Sequence, residues 1–154
     1  MQPINEQGFT IIELITVIVL LSILAVVAFG RLGSLSQFDS RAYYQDVVGA
    51  LQYAQKLAVG TGCQVQVTFT SNSYALHQRQ TGCTTGAYTR PVMNPAARGS
   101  HYQADAPDGV AISPALTFRF LPDYGVEPLG TDQEFDVGGR KFSVIVDTGA
   151  VDAL

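Results

Sequence analysis

The stretch from Gly8 to Leu21, GFTIIELITVIVLL, sets one carboxylate, Glu13, inside a run that is otherwise apolar. The run continues to Phe29. Between Ile11 and Phe29 the polar side chains are Glu13, Thr16 and Ser22, and from Gly8 to Gly30 there is no Lys, Arg, Asp, Asn or Pro. About 20 helical residues rising about 1.5 Å each match a hydrocarbon core of about 30 Å, so the segment reads as a membrane-spanning helix. A core helix of a soluble protein is a poor alternative, because the rest of the chain is too short to cover it on every side. A secretory signal peptide fits poorly too. The first eight residues, MQPINEQG, lack a basic residue, the apolar run is long, and the small residue precedes it.

Composition sets the frame around this segment. A chain of 154 residues with 47% hydrophobic content has room for one head domain beyond the apolar run. The net charge is −4, with no basic tail and no block of like charges, which argues against general nucleic-acid binding.

Gly8-Phe9-Thr10-Ile11-Ile12-Glu13 resembles the processing site of the type IV pilins and type II secretion pseudopilins. A short polar leader, Gly, Phe, Thr, two aliphatics, Glu and a long apolar helix agree with that family in order and spacing. The leader departs from it in carrying Glu6 and no Lys or Arg. The resemblance implies a leader, residues 1–8, removed by a prepilin peptidase between Gly8 and Phe9, with methylation of the new amino terminus. It implies a transmembrane and assembly helix over 9–30 and a periplasmic head over 31–154, held in the bacterial inner membrane and then built into a filament with other pilin subunits. It also supplies a reason for Glu13. An unpaired carboxylate in hydrocarbon costs at least a few kcal/mol, and the family's partner for it is the Phe9 amine of an adjacent subunit. An interfacial Glu that snorkels to water without a partner is the alternative.

Beyond Gly30 the polarity changes while helical spacing continues. Leu35, Phe38, Ala42, Val48, Leu51, Ala54 and Ala58 form the predicted apolar face, and Gly60-Thr61-Gly62 ends the helix. One long helix over about 9–59 is expected, with Gly30 and Gly33 able to bend it. Strand alternation follows in Cys63–Thr70, and Ser71-Asn72-Ser73 turns the chain into Tyr74–Gln78. A two-residue turn at Asn72-Ser73 pairs Phe69 with Leu76 and sets Cys63 opposite Gly82, so that a bulge brings Cys83 to Cys63. In a periplasmic head these two cysteines read as a disulfide rather than a metal or redox pair.

The middle, Thr84 to Pro114, shows no sustained period and is expected to be loop-dominated. Between Val47 and Ala104 the charges are Lys56, Arg79, Arg90 and Arg98, while the remainder from Asp105 to Leu154 carries nine acids against three bases. Arg79, Arg90 and Arg98 therefore form a candidate contact for a polyanion or an acidic neighbour, against the simpler reading of a solvated loop. Leu116–Leu121, Glu134–Val137 and Lys141–Val146 are predicted strands of a mainly antiparallel sheet. The order FRFLPDYG, a Gly-Gly turn and SVIVDTGAV resembles the head of the GspH/FimT-type minor pilins and pseudopilins. The stretch AQKLAVGTGCQVQV, the two cysteines and RPVMNP further resemble a minor pilin of the mannose-sensitive haemagglutinin (MSHA) pilus.

Enzymatic chemistry is hard to find. His77 and His101 lack flanking ligands at metal spacing, and no nucleophile elbow or phosphate-binding glycine loop occurs. Asp123, Glu127, Asp132, Glu134 and Asp136 match no EF-hand loop and read as turn carboxylates rather than a Ca²⁺ site. The turn Gly138-Gly139-Arg140-Lys141 offers cations to DNA phosphates, but the acidic and apolar ending DTGAVDAL weakens that reading. The sequence thus predicts an α+β protein, a long amino-terminal helix on an antiparallel head, with no catalytic residue and no cofactor. Its expected role is a minor pilin that helps to initiate or cap assembly. A type II secretion pseudopilin, a DNA-uptake pilin and a signal-anchored periplasmic protein unrelated to filaments are the other readings.

Overall fold

A computed structural model describes residues 10–29, 35–97 and 99–154, with the side chains of 26–29 and 35–37 left aside. The chain divides into two units, one ending at Leu35 and the other spanning Ser36–Leu154. The first holds helix α1, Ile11–Phe29. The second holds nearly all of α2, Leu35–Thr61, and all the strands. The expected bend at Gly30 and Gly33 lies outside the described residues, as do Gly8, Phe9 and Arg98.

Within the second unit, α2 leads into β1, Val65–Phe69, and β2, Ser73–Arg79. Short strands follow at β3, Tyr88–Pro91, β4, Gln103–Asp105, and β5, Ile112–Ser113. The chain ends with β6, Thr117–Phe120; β7, Val126–Glu127; β8, Gln133–Val137; β9, Arg140–Val144; and β10, Val151–Ala153. The architecture is α+β, and every strand pair is antiparallel. Two sheets form where one was expected. One runs β3-β2-β1-β6-β7, with β4 beside β2, and the other β10-β9-β8-β5. The middle of the chain, expected to be loop-dominated, supplies β3, β4 and β5, each too short to show a period.

The core lies where α2 meets both sheets. Phe69, Phe118, Phe135 and Phe142, one each from β1, β6, β8 and β9, form an aromatic seam between the sheets, with ring centroids 5.1 to 6.5 Å apart among the neighbouring pairs. The face that α2 buries is Tyr43, Val47, Ala50, Leu51, Ala54 and Ala58. This corrects the predicted stripe at its start, since Phe38 and Ala42 are exposed and Val48 is half-buried. Tyr43 sets the face there. Its ring lies 6.1 Å from that of Tyr74, and its hydroxyl donates to the Ala104 carbonyl at 3.3 Å, which a stripe drawn only through aliphatics misses. The small residues Ala50, Ala54 and Ala58 keep the helix close to the strands, and the Tyr74 hydroxyl adds a hydrogen bond to the Asp46 carboxylate.

The first hairpin is also corrected. Phe69 pairs with Tyr74, not Leu76, because the loop is Ser71-Asn72. The Thr70 N–H donates to the Ser73 carbonyl at 2.9 Å, and their hydroxyls lie 2.7 Å apart. Moving the loop by one residue displaces each pair by two, so every side chain keeps its predicted face. Cys63 then lies level with Gln80 rather than Gly82. Cys83 reaches it from the loop that joins β2 to β3, closed where the Gln80 N–H donates to the Ala87 carbonyl at 3.0 Å. Cys63 and Cys83 are bonded there, with Cα atoms 4.4 Å apart. In that loop Gly86 has φ of 92°, and a Cβ on it would stand 2.5 Å from Thr81 Oγ1, so the turn requires glycine.

Candidate assembly site

Thr10 stands immediately before helix α1; its hydroxyl accepts from the Glu13 N–H at 3.3 Å while its carbonyl accepts from the N–H groups of Glu13 and Leu14 at 3.1 and 3.2 Å. Thr10 therefore caps the helix. Threonine followed three residues later by glutamate is capping-box spacing, a local signal that the apolar run around Glu13 masks. The other polar side chains of α1 are satisfied locally. The Thr16 hydroxyl donates to the Glu13 carbonyl at 2.8 Å, and the Ser22 hydroxyl to the Ile18 carbonyl at 2.7 Å. Such back-bonding lets a hydroxyl enter an apolar medium without an unmet donor.

That leaves one group. Among the described residues the Glu13 carboxylate has no hydrogen-bond or ion-pair partner. Around it the helix is apolar on all sides, with Ile11 80% and Leu24 64% exposed. A carboxylate on such a surface accepts a cationic donor, of which an ammonium is the most compact. No helix of the described residues is long and apolar enough to cross a membrane. The described side chains of α1 run from Ile11 to Ala25, about 22 Å of helix at about 1.5 Å per residue, short of a hydrocarbon core of about 30 Å.

The remaining candidates are absorbed into the head. The Arg79 guanidinium lies 4.4 Å from the Tyr88 ring centroid and donates to the Gly86 carbonyl at 2.7 Å. Arg90 donates to Gln78 Oε1 at 2.9 Å. These two arginines brace β2 and β3 and form no open cationic cluster between themselves. Burial, and then the nearby His101, lower the pKa of His77, which favours a neutral imidazole. The acids serve separate turns and pairs. Asp123 accepts from the Gly125 N–H, Asp132 from the Val146 N–H and Asp136 from the Gly139 N–H, while Glu134 pairs with Lys141 and Glu127 with Arg119. Among the described residues no three His, Cys, Asp or Glu side chains gather as a metal site.

Residues 4–29 match the model of the prokaryotic N-terminal methylation motif, which includes the expected cleavage position, Glu13 and the whole of α1. No curated protein matches the chain. Among solved structures, the type IV minor pilin FimU of Pseudomonas aeruginosa is similar with a TM-score of 0.54 at 15% identity, over 74% of this chain and 91% of that one. The minor pseudopilin EpsH from the type 2 secretion system of Vibrio cholerae is similar with a TM-score of 0.54 at 14% identity, over 75% and 96%. The fold is that of the type IV minor pilins. The chain thus joins an amino-terminal methylation motif to a minor-pilin fold, and in these two respects it is similar to minor pilins and pseudopilins.

Proposed function

We propose that the chain is a non-enzymatic minor subunit of a type IV pilus, made as a precursor with one membrane pass, cut between Gly8 and Phe9, and assembled through α1. The observation that carries this reading is Glu13. Every other described polar side chain of α1 is satisfied within the helix, so this carboxylate is the group that gains from a second subunit. Cleavage at Gly8 creates the complementary ammonium at Phe9. Pairing the two across neighbouring subunits removes the cost of the unpaired charge and fixes the axial register of the entering helix.

The resemblance of the head to a minor pilin of the MSHA pilus favours that pilus type and a role in starting or capping the filament. The likeness to EpsH supports a second reading, a pseudopilin of a type II secretion system, and the two structural neighbours have equal TM-scores. Loss of surface pili on deletion of the gene supports the first reading, and loss of protein secretion the second. A polyanion contact rests on Arg98, since Arg79 and Arg90 are engaged by their own sheet; the head fragment from residue 31 showing no DNA shift at low salt removes it.

The assembly claim is tested by Glu13→Val. The variant should be cleaved, keep a folded head and fail to enter filaments, measured as its share of sheared pili; wild-type incorporation defeats the pairing. Gly8→Asp should leave the precursor uncut, and a mature amino terminus other than Phe9 in the unsubstituted chain defeats the processing claim.

A further inference from the structure

Near the start of α2 the head carries an open cleft of about 480 Å³ whose lining includes Arg41, Gln45, Arg140 and Lys141. It continues into a second hollow that shares Arg41 and Gln45 and adds Phe38. Three features of this surface belong together. Arg41 and Arg140 are exposed and, among the described residues, have no ion pair, whereas Lys141 is held by Glu134 at 2.7 Å. Two acids of β8 are already engaged, Glu134 by Lys141 and Asp136 by the Gly139 N–H at 2.8 Å. Phe38, beside the cations, is 72% exposed, whereas Phe69, Phe118, Phe120, Phe135 and Phe142 are buried in the head core.

Nine positions along the chain separate Phe38 from Phe29, the end of the apolar helix. Aromatic and basic side chains just beyond a membrane helix suit the headgroup layer, where the ring enters the upper acyl region and the cations meet phosphates. We propose that Phe38, Arg41 and Arg140 form a contact for the phosphate of an anionic phospholipid, used while the subunit is in the membrane and released when it enters a filament. This rests on the membrane-anchored reading above. It gives the head a second hold on the bilayer that extraction must break, so the strength of the contact sets how readily the subunit leaves the membrane.

The chain has no tryptophan, so Phe38→Trp introduces a single indole. The full-length Phe38→Trp chain is reconstituted in phosphatidylglycerol-containing vesicles, in phosphatidylcholine vesicles and in neutral detergent, and acrylamide quenching of the indole is measured. Protection several-fold greater with phosphatidylglycerol than in detergent is expected, weaker in phosphatidylcholine, and abolished by adding Arg41→Glu with Arg140→Glu while the far-ultraviolet circular dichroism is unchanged. Failure of the chain to insert, read as extraction from vesicles by alkaline carbonate, defeats the anchor and the contact together. Insertion with an indole as open as in detergent, or protection that survives the double charge reversal, defeats the contact alone. Equal protection in detergent from inorganic phosphate or from a short DNA duplex also overturns it, in favour of a free phosphate or a nucleic acid.

Discussion

Helices α1 and α2 share a backbone geometry and differ in what their surfaces ask for. Every described side chain of α1, Ile11 to Ala25, is exposed although nearly all are apolar, whereas α2 buries one face, Tyr43 to Ala58, and leaves its polar face outside. Burying a Leu or Val side chain is worth about 1.5–3 kcal/mol, so α2 gains its stability inside the chain. The described core residues all lie between Tyr43 and Val151, within the second unit. On the proposed reading, α1 is held by lipid and then by other subunits. Within one helical turn of its start stands Glu13, the group that neither lipid nor the helix itself satisfies.

The comparison breaks or stands on paired truncations. Phe118 is fully buried in the aromatic seam, so Phe118→Ala should cost about 3–5 kcal/mol, a large part of the stability of a single domain. Leu20→Ala on α1 should leave the denaturant midpoint of the head unchanged and lower filament incorporation instead. A head destabilised as much by Leu20→Ala as by Phe118→Ala would show that the two units are not energetically separate. A smaller loss is expected from Cys63→Ser with Cys83→Ser. The bond closes a loop of sequence separation 20, for which chain entropy gives about 3 kcal/mol, read as the shift between the variant and the oxidised chain in urea.

Gly149→Ala sharpens the comparison at a third level. Gly149 has φ of 62°, and an added Cβ would stand 2.9 Å from the Tyr124 carbonyl oxygen, which is backbone and cannot swing away. The Gly149 N–H donates to the Ile145 carbonyl at 2.8 Å, and beside it Gln55 of α2 donates to the Thr148 carbonyl at 2.8 Å. The turn is thus part of how α2 meets the second sheet. About 1–3 kcal/mol of destabilisation is expected, confined to the head.

How far the sequence revealed this molecule follows the same division. The apolar run and Glu13 are local features, legible because each depends on neighbours within a turn or two; the Thr10 cap is as local, but its spacing is masked by the apolar run around Glu13. Strands β6, β8 and β9 were also legible, since Phe118, Phe120, Phe135, Val137, Phe142 and Val144 alternate with polar residues along their own segments. The two-sheet arrangement was not. It depends on four phenylalanines from different strands meeting, with Phe69 edge-on to Phe118, Phe135 and Phe142 and Phe135 stacked on Phe142, and no local pattern encodes which sheet each strand joins. Strands β5 and β7 are two residues each, below the length at which alternation can be recognised. The hairpin register slipped by one loop residue because Ser71, Asn72 and Ser73 all suit a turn, and the Thr70–Ser73 hydroxyl contact that decides among them is a property of the folded pair. The α2 stripe erred at Tyr43 for a related reason: a tyrosine counts as core only when its hydroxyl has a partner, and that partner, the Ala104 carbonyl, lies 61 residues away.

The smallest expected effect comes from pH, and it too separates the two regions. All seven tyrosines lie between Tyr43 and Tyr124, so α1 contributes none to an alkaline titration. Burial, then the charges of Asp46 and Asp105, push the Tyr43 pKa up to about 12. Burial also raises that of Tyr74, as does its hydrogen bond to Asp46. The folded head keeps these protons after an unfolded chain, with its tyrosines near 10, has lost them. Stability from this source is therefore whole below about pH 10 and declines as pH climbs through about 12. Absorbance at high pH should show the exposed tyrosines ionising first and a late group appearing only as the head opens. Asp46→Asn should bring part of that late group to lower pH, because it removes a negative charge beside both rings. A titration in which all seven tyrosines ionise together near pH 10 would mean that the α2–β2 contact is open to water, and the head would lose the self-sufficiency that sets it apart from α1.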